Sequence, residues 1–532
     1  MDKRTLLAVI LIIIVFWISN ELIWKNKTQQ SQPLPIKTEE QAPAPVTTDY
    51  QQTNFSDTLF IPSSDSDVEI NDQLIIENES LQIVFTNLGA TIKSIILKDY
   101  ALADKITPVN LIPAEKRALN LELKYLSGNI ENFQNKIFDY YIDDIDKTLR
   151  FQYTFDKGTV EKVFRLDGDY LLNFNLNIQL NESVENYNLA MNSGIADTEE
   201  YLKMKSREYK VIAEIDNEIK QYPLAKLKER KEILGKVDWA AVRSKYFILG
   251  MIPEDLVDVN RLETFAVEES PALNLGIQIS RSSFTHNYRL YFGPLIFDEL
   301  NAVGYGFENT LEMGPKFLRW ISRIFLTFLK FLNGIVPNWG LCIIIFAIVL
   351  KFLLHPLTHK SFESSQKMQQ IQPLMKEIQA KYKNDPKTMN NELRKLYKEH
   401  GVSPLGGCLP MLLQMPVLFA LYPILRYSID LRQAHFLWLP DLSEPDGTLI
   451  LPITMAIFMF IQQLIMRPTR SSLDNMDEKQ KAAQQSQKMM MYFMPVMMFF
   501  IFKSLASGLV LYWTVFSIAS TIHQYLIRKR YQ

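Results

Sequence analysis

The apolar segments in the second half of the chain constrain its fold most strongly. Each approaches the roughly 20 residues that an α-helix needs to cross the hydrocarbon core of a bilayer. They lie at about 339–357, 408–427, 449–466, 489–504 and 508–527. The sequence therefore predicts a multi-pass α-helical membrane domain at residues 336–532, with five spans.

The N-terminus adds a sixth apolar run, at about residues 6–23, directly after Lys3 and Arg4. No cleavage site of small residues follows it, so we interpret residues 1–25 as an uncleaved signal-anchor span. Residues 26–59 are rich in Gln, Pro and Thr and contain few large apolar residues. Such a composition cannot bury enough surface to fold, and it predicts a disordered linker.

The charge distribution predicts how the chain is oriented. Residues 314–532 carry 25 Lys plus Arg against 12 Asp plus Glu, and residues 1–313 carry 32 against 47, which gives the totals of 57 and 59. Loops 358–407 and 467–488 are basic, whereas loop 428–448 is acidic. Because cytoplasmic loops carry an excess of Lys and Arg, we expect both termini inside and the large N-terminal half outside.

Residues 60–313 show the period-two alternation of antiparallel strands, for example in LRFQYTF and LLNFNLNIQL. We predict a β-sandwich with two helical inserts, at residues 198–210 and about 218–231. The stretch FTNLGATIKSIILKDY at 85–100 resembles the opening of galactose-mutarotase-like supersandwiches, a fold with sugar-processing members. Mutarotase chemistry needs a histidine acid and a carboxylate base, and His286 is the only histidine of this region. A lone histidine is more often structural than catalytic.

Residues 314–335 form an amphipathic pattern. The basic face carries Lys316, Arg319, Arg323 and Lys330, and the apolar face carries Phe317, Ile321, Phe325, Phe328 and Leu332. Four cations prevent this segment from spanning a bilayer, so we expect it to lie flat in the membrane interface. The alternative is a helix that packs on the sandwich.

The basic loop 358–407 reads as a helical hairpin with a turn at Asn384. Asp385 can cap the second helix, with Pro386 at its first position. Narrow apolar stripes, one with Met375 and Ile378 and one with Leu396 and Tyr397, can hold the two helices together. The remaining surface is charged or amide, which fits either a solvated hairpin or a docking arm for an anionic partner such as ribosomal RNA or lipid headgroups.

Short motifs in both halves of the chain carry a family resemblance. They are NWG at 338–340, HPLT at 355–358, SPLGGCLPMLLQMPVLFALY at 403–422, LRQAHFLWLPDLS at 431–443 and SGLVLYW at 507–513, with DWAAVRSKYFILGMIP at 238–253 and YFGPL at 291–295 in the first half. The first five, with the hairpin, closely resemble the YidC/Oxa/Alb family of membrane protein insertases. The last two resemble the large periplasmic domain of its Gram-negative members.

This resemblance implies an insertase and folding chaperone of the bacterial inner membrane, not an enzyme. Its implied partners are nascent membrane proteins, the Sec translocon, the lipid bilayer, and the ribosome and signal-recognition machinery, which the cytoplasmic loops would contact. It implies no cofactor, no metal and no small-molecule substrate. The sequence agrees in containing no GxxxxGK[ST] phosphate-binding loop.

The resemblance also implies a hydrophilic substrate groove with one cationic side chain on the span after the periplasmic domain. Alignment on the PLT motif puts Lys351 there, although the usual residue of the family is arginine. The resemblance places Gln462, Tyr512 and Trp513 in the same groove. For Tyr512 and Trp513 the alternative is an interfacial aromatic belt.

The physics of a lysine in a span supports a wet groove. A charge that faces lipid near the bilayer centre costs about 3 kcal/mol, so such residues face water or a partner. The five C-terminal spans contain no Asp or Glu. The expected neighbours are therefore water and the polar residues of these spans, which are Gln414, Gln462, Gln463, Ser517, Ser520 and Thr521. The alternative is that Lys351 extends to the membrane surface.

Methionines are concentrated in the fourth and fifth spans. Met455, Met459, Met494 and Met498 form a candidate client-contact surface, because flexible thioethers suit a surface that accepts many different apolar helices. The alternative for each is ordinary packing.

Two other functions remain open from the sequence. A transporter or channel would need inverted repeats or paired ionisable groups in its spans, and neither is evident. A membrane-tethered carbohydrate enzyme or binding protein would depend on the sandwich alone.

Overall fold

The computed structural model describes residues 69–254, 257–383, 385–402, 409–465 and 492–531. Several sequence predictions fall outside these ranges: the anchor at 1–25, the linker at 26–59, the turn residue Asn384 and the basic loop 467–488.

The described residues from 74 to 294 form two antiparallel sheets. The strands are β1 (Leu74–Glu77), β2 (Leu81–Thr86), β3 (Thr91–Ala101), β4 (Pro108–Asn110), β5 (Asn120–Tyr125), β6 (Ile130–Asn132), β7 (Asp139–Asp143), β8 (Thr148–Phe155), β9 (Gly158–Leu166), β10 (Leu171–Met191), β11 (Lys210–Ile215), β12 (Glu218–Pro223), β13 (Lys231–Leu234), β14 (Val237–Arg243), β15 (Phe247–Pro253), β16 (Val259–Val267) and β17 (Ser270–Pro294). Strands β1 to β4 form the smaller sheet in chain order. The other thirteen form the larger sheet, with the path β12-β11-β14-β15-β17-β10-β9-β8-β7.

The longest pair shows why these residues form a sandwich. In β10 every second side chain is buried, from Leu172 through Phe174 and Leu176 to Ile178, while the residues between them are more exposed. Strand β10 pairs with β17 along most of its length. Alternation of this kind buries one face of a sheet against the other sheet, and the predicted β-sandwich is confirmed.

The prediction of a second helical insert, at about residues 218–231, is wrong. Residues Glu218–Pro223 form strand β12, which pairs antiparallel with β11 so that Glu218 lies opposite Ile215 and Pro223 lies opposite Lys210. Pro223 cannot sit inside a helix without losing a hydrogen bond and meeting the carbonyl four residues before it. The first insert is helical only at α1 (Lys205–Glu208). In the second insert, pairing with a neighbouring strand decides the conformation instead of local helical spacing.

His286 lies in a buried aromatic network of the sandwich. Its Nδ1 is 2.7 Å from the hydroxyl of Tyr187, and that hydroxyl is 2.5 Å from the hydroxyl of Tyr288. The ring also lies 4.9 Å from Phe284. Burial lowers the pKa of His286 to about 4. These contacts fit the structural interpretation of this histidine.

The lowered pKa of His286 predicts an acid-sensitive sandwich. In the unfolded chain His286 has the ordinary histidine pKa of about 6.5, so it binds a proton below that pH, whereas in the folded chain it stays neutral down to about pH 4. The free energy of unfolding therefore falls as the pH falls from 6.5 to 4. Between pH 7 and pH 4.5 the parent should lose about 2–3 kcal/mol more stability than His286→Gln, which keeps a partner for Tyr187. Urea unfolding followed by β-sheet circular dichroism measures this difference. Equal losses in the two proteins would contradict the prediction.

Helices make up most of the second half. They are α2 (Phe297–Val303), α3 (Arg319–Ile335), α4 (Trp339–Leu353), α5 (His355–Gln370), α6 (Gln372–Lys381), α7 (Pro386–Glu399), α8 (Leu409–Tyr427), α9 (Ile450–Ile465), α10 (Tyr492–Phe502) and α11 (Ser507–Tyr531). Within the described residues, no single helix combines the length and hydropathy needed to cross a membrane. One bent pair does so by length and composition, Trp339–Leu353 with His355–Ser364 at an angle of 61°. The count of six spans stays a prediction.

The predicted amphipathic segment forms helix α3. Ser322 donates a hydrogen bond to the carbonyl oxygen of Ala420 in α8, at 3.0 Å, and Leu329 and Leu332 are buried in the helical core. Other apolar residues on the helix, such as Ile324 and Phe331, are exposed. Helix α3 therefore packs on α8 and leaves some apolar side chains uncovered, and its location in the membrane interface stays a prediction.

The hairpin has the predicted cap. The side chain of Asp385 accepts a hydrogen bond from the backbone N–H of Thr388, and Pro386 is the first residue of α7. A small separate core holds the hairpin together, and its members are Ile371, Leu396 and Val402, with Met368, Met375, Ile378 and Tyr397 packed around them. The predicted apolar stripes meet in this core.

The sandwich and the helical domain share a buried polar boundary. Three ion pairs cross it, Arg426 with Glu208 at 2.6 Å, Arg432 with Glu199 at 2.8 Å and Lys245 with Glu444 at 2.7 Å. Ile429 adds an apolar contact with the core of the sandwich. Burial raises the pKa of Glu199 and Glu444 even though each faces a cation. The sequence did not predict this boundary, although Lys245 and Arg432 lie within two of the family motifs and Glu444 directly follows one of them.

Candidate functional site

Lys351 lies near the C-terminal end of α4, just before the bend into α5. Asn338 begins α4 by accepting a hydrogen bond from the N–H of Leu341, and the helix continues to Leu353. The side chain of Lys351 is only 7% exposed. Its Nζ donates a hydrogen bond to Oγ of Ser520 in α11, at 2.8 Å. The structure therefore turns this cation towards α11.

Two aromatic rings complete the surroundings of the ammonium group. Nζ of Lys351 lies 4.9 Å from the ring centre of Phe516 and 5.5 Å from that of Phe362. An aromatic face within about 6 Å attracts a cation, more strongly where water is excluded. Sequence reasoning missed both rings. The spacing of Phe516 four residues before Ser520 on one helix is a signal that could have pointed to the first.

Among the residues that the structure describes, no acidic side chain forms an ion pair with Lys351. Helices α4, α8, α9, α10 and α11 contain no Asp or Glu. Within the described ranges, the groups that meet the ammonium are one hydroxyl and two rings. A cation that is buried without a carboxylate keeps an unneutralised charge, and it can attract an anionic group that comes close.

Gln414 and Tyr512 form a second polar contact close to this position. Nε2 of Gln414 donates a hydrogen bond to the hydroxyl of Tyr512, at 2.8 Å, and both side chains are buried. The ring of Tyr512 lies 6.0 Å from that of Phe516. One face of α11 thus carries Tyr512, Phe516 and Ser520 at steps of four, and it connects Gln414 to Lys351.

The other two predicted groove residues, Trp513 and Gln462, are less buried than Tyr512. Trp513 is partly buried and packs on Phe502, with ring centres 5.3 Å apart. Gln462 is partly exposed on α9. Its neighbour Gln463 donates a weak hydrogen bond to the sulfur of Met494, at 3.6 Å. The structure therefore links Lys351 to Tyr512 and Gln414 through the ring of Phe516, whereas the groove roles of Trp513 and Gln462 stay predictions.

The candidate client-contact methionines differ in exposure. Met455 is fully buried among the apolar side chains in the core of the helical domain, where it has an ordinary packing role. Met459 and Met498 are partly buried against the same core, and Met494 is half-buried beside Gln463. Three of the four therefore retain some accessible surface.

Three histidines near Lys351 could hold a metal ion, a possibility that the sequence analysis did not raise. His355, His359 and His523 each offer one ring nitrogen, and these three atoms lie within 4.8 Å of one another. No other such group of metal-ligating side chains occurs in the part of the chain that the structure describes.

Comparison with known proteins identifies both halves. A family described as the YidC periplasmic domain matches residues 73–328, and a family described as the 60Kd inner membrane protein matches residues 331–532. A membrane protein insertase YidC of Chlorobium luteolum is 31% identical over 575 aligned positions, which cover 99% of this chain and 95% of that protein.

Two solved structures are also similar to parts of the chain. A crystal structure of an active YidC insertase with its first transmembrane domain resolved is 16% identical, covers 86% of this chain and 92% of its own, and has a TM-score of 0.36. A galactose 1-epimerase from Lactobacillus acidophilus NCFM is 9% identical, covers 42% of this chain and 98% of its own, and has a TM-score of 0.30.

Proposed function

Because the chain belongs to the YidC family of membrane protein insertases, we propose that it moves nascent proteins of the inner membrane into the bilayer through a polar groove around Lys351. The groove would also let the protein act as a folding chaperone for its clients. It would work with no cofactor, no covalent step and no small-molecule substrate.

The buried, unneutralised charge of Lys351 carries this proposal. Its ammonium is held by Ser520, Phe362 and Phe516. The polar pair of Gln414 and Tyr512 is connected to it through Phe516, whose ring lies 6.0 Å from that of Tyr512. Polar groups at this depth shorten the hydrocarbon path that a client's polar flank must cross. The positive charge attracts acidic residues of that flank. Together these effects lower the barrier to insertion.

The remaining parts of the chain suit this role. We propose six spans, with both termini and the basic loops in the cytoplasm and the β-sandwich in the periplasm, since the basic residues lie in loops 358–407 and 467–488. Partly exposed methionines such as Met459, Met494 and Met498 would offer clients an adaptable surface. The Sec translocon is a proposed partner, and so are the ribosome and the signal-recognition machinery.

Reconstitution tests the insertase function directly. The purified chain is placed in liposomes and given a short single-span client, and protease protection of the client's translocated tail is measured. We expect protection to exceed that of empty liposomes. If the tail stayed fully accessible while small ions or sugars crossed the membrane, a transporter would be the better assignment.

The cytoplasmic hairpin should be required for client delivery. Its core is small and separate from that of the helical domain, and its outer surface is charged, so its removal should leave the rest of the fold intact. Deleting residues 369–399 should abolish insertion of the client in the liposome assay. Insertion at the parental rate would show that the hairpin is dispensable.

A further inference from the structure

Three histidines from two helices converge at one end of the groove. His355 and His359 lie one turn apart on α5, and His523 comes from α11. Nδ1 of His359 is 3.2 Å from Nε2 of His523, and the rings of His355 and His523 have their centres 4.3 Å apart. Residues at positions i and i+4 share a helix face, so α5 presents two imidazoles to the third.

The hydrogen bonding of this cluster is incomplete. Nδ1 of His523 is buried and has no hydrogen-bond partner within the described residues. His523 is only 9% exposed, and Phe362 packs edge-on against its ring at 5.4 Å. Burying a polar nitrogen without a partner costs free energy. Nε2 of the same ring, which faces His359, is the nitrogen that a ligand could engage.

We propose that His355, His359 and His523 bind a divalent cation of the Zn²⁺ type. Imidazole nitrogens bind Zn²⁺ at about 2.0–2.1 Å in tetrahedral geometry, which puts two ligand atoms slightly more than 3 Å apart. The separation between His359 and His523 is already of this size, and all three nitrogens lie within 4.8 Å. Small rotations of the rings would close the site and leave a fourth position for water.

The ligand chemistry sets the selectivity of the site. Three neutral nitrogen ligands suit Zn²⁺, Co²⁺, Ni²⁺ or Cu²⁺. Mg²⁺ and Ca²⁺ require oxygen ligands, and the cluster offers none of its own. The site should therefore bind Zn²⁺ in the presence of a large excess of Mg²⁺.

Direct metal titration tests this site without depending on insertion activity. The full chain, purified in detergent with a tag that contains no histidine, is titrated with Zn²⁺ by calorimetry and with Co²⁺ by absorption spectroscopy. We expect one Zn²⁺ per chain and the visible absorption bands of tetrahedral Co²⁺. Millimolar Mg²⁺ should displace neither ion.

Variants of single histidines assign the ligands. Loss of a residue that only hydrogen-bonds to a metal ligand typically weakens metal binding by roughly 10- to 100-fold. His523→Gln and His355→Gln each remove a ligand itself, so each should weaken Zn²⁺ binding by more than that. His400→Gln and His435→Gln are matched controls outside the cluster, and they should bind as the parent does. Equal weakening in cluster and control variants would overturn the proposal, and so would the absence of stoichiometric binding.

Thermal unfolding separates loss of the site from loss of the fold. Without metal, His355→Gln should melt at the parental temperature because His355 is exposed. Zn²⁺ should then raise the melting temperature of the parent and not that of His355→Gln, since a ligand stabilises only the state that binds it. An equal rise in both proteins would place the ion elsewhere.

Discussion

Insertion of a client with an acidic translocated tail should slow by at least about fivefold when Lys351 is replaced by Met, whereas Lys351→Arg should insert at nearly the parental rate. Opposite charges 4 Å apart attract by about 1 kcal/mol in water and about 4 kcal/mol near a protein surface. Loss of this attraction in the transition state corresponds to roughly 5-fold to several hundred-fold in rate. Arginine keeps the charge and a donor for Ser520.

The Lys351 prediction has two controls. Lys503→Met makes the same substitution outside the groove, where the lysine lies 4.8 Å from the ring centre of Phe500, and it should insert as the parent does. A client with a neutral tail should be slowed less by Lys351→Met than the acidic one. If Lys351→Met matched the parent with the acidic-tailed client, this lysine would have no role in attracting clients.

Breaking the ion pair between Arg426 and Glu208 should open the boundary between the sandwich and the helical domain. These side chains are only 2% and 5% exposed. Arg426→Met leaves the carboxylate of Glu208 buried without a cation, which costs about 3–5 kcal/mol. Backbone hydrogen exchange in residues 205–215 and 424–432 should therefore accelerate by roughly 100-fold to several thousand-fold.

A double substitution separates the effect of losing the ion pair from the effect of leaving one charge buried without a partner. Arg426→Met combined with Glu208→Leu removes both charges, and it should recover most of the protection because apolar residues can replace a buried ion pair. The side chains of Lys330 and Asp430, which form a surface ion pair, are 41% and 30% exposed. Lys330→Met should therefore change the free energy of local opening by about 1 kcal/mol or less. Arg426→Met with parental exchange rates would show that the boundary does not depend on this pair.

Local patterns in the sequence determined most of the secondary structure. Period-two alternation predicted the sandwich, since side chains of a strand alternate between its faces. The cap of α7 at Asp385 followed from residue types that act within one turn. The positions of α3 and of the apolar helices α4, α8, α9, α10 and α11 followed from helical periodicity and runs of apolar residues. The sequence alone also shows that the apolar helices α4, α8, α9, α10 and α11 contain no acidic residues.

Only the tertiary structure decided which distant residues meet. Lys351 and Ser520 are 169 positions apart, and Arg426 and Glu208 are 218 apart, so no local period connects them. The same is true of His523 and the two histidines of α5. Strand β12 shows the limit most directly, because hydrogen bonds to β11 overrode a helical spacing that its own residues favoured. Local patterns fix which face of an element is apolar, whereas packing between elements selects the partners of each buried polar group.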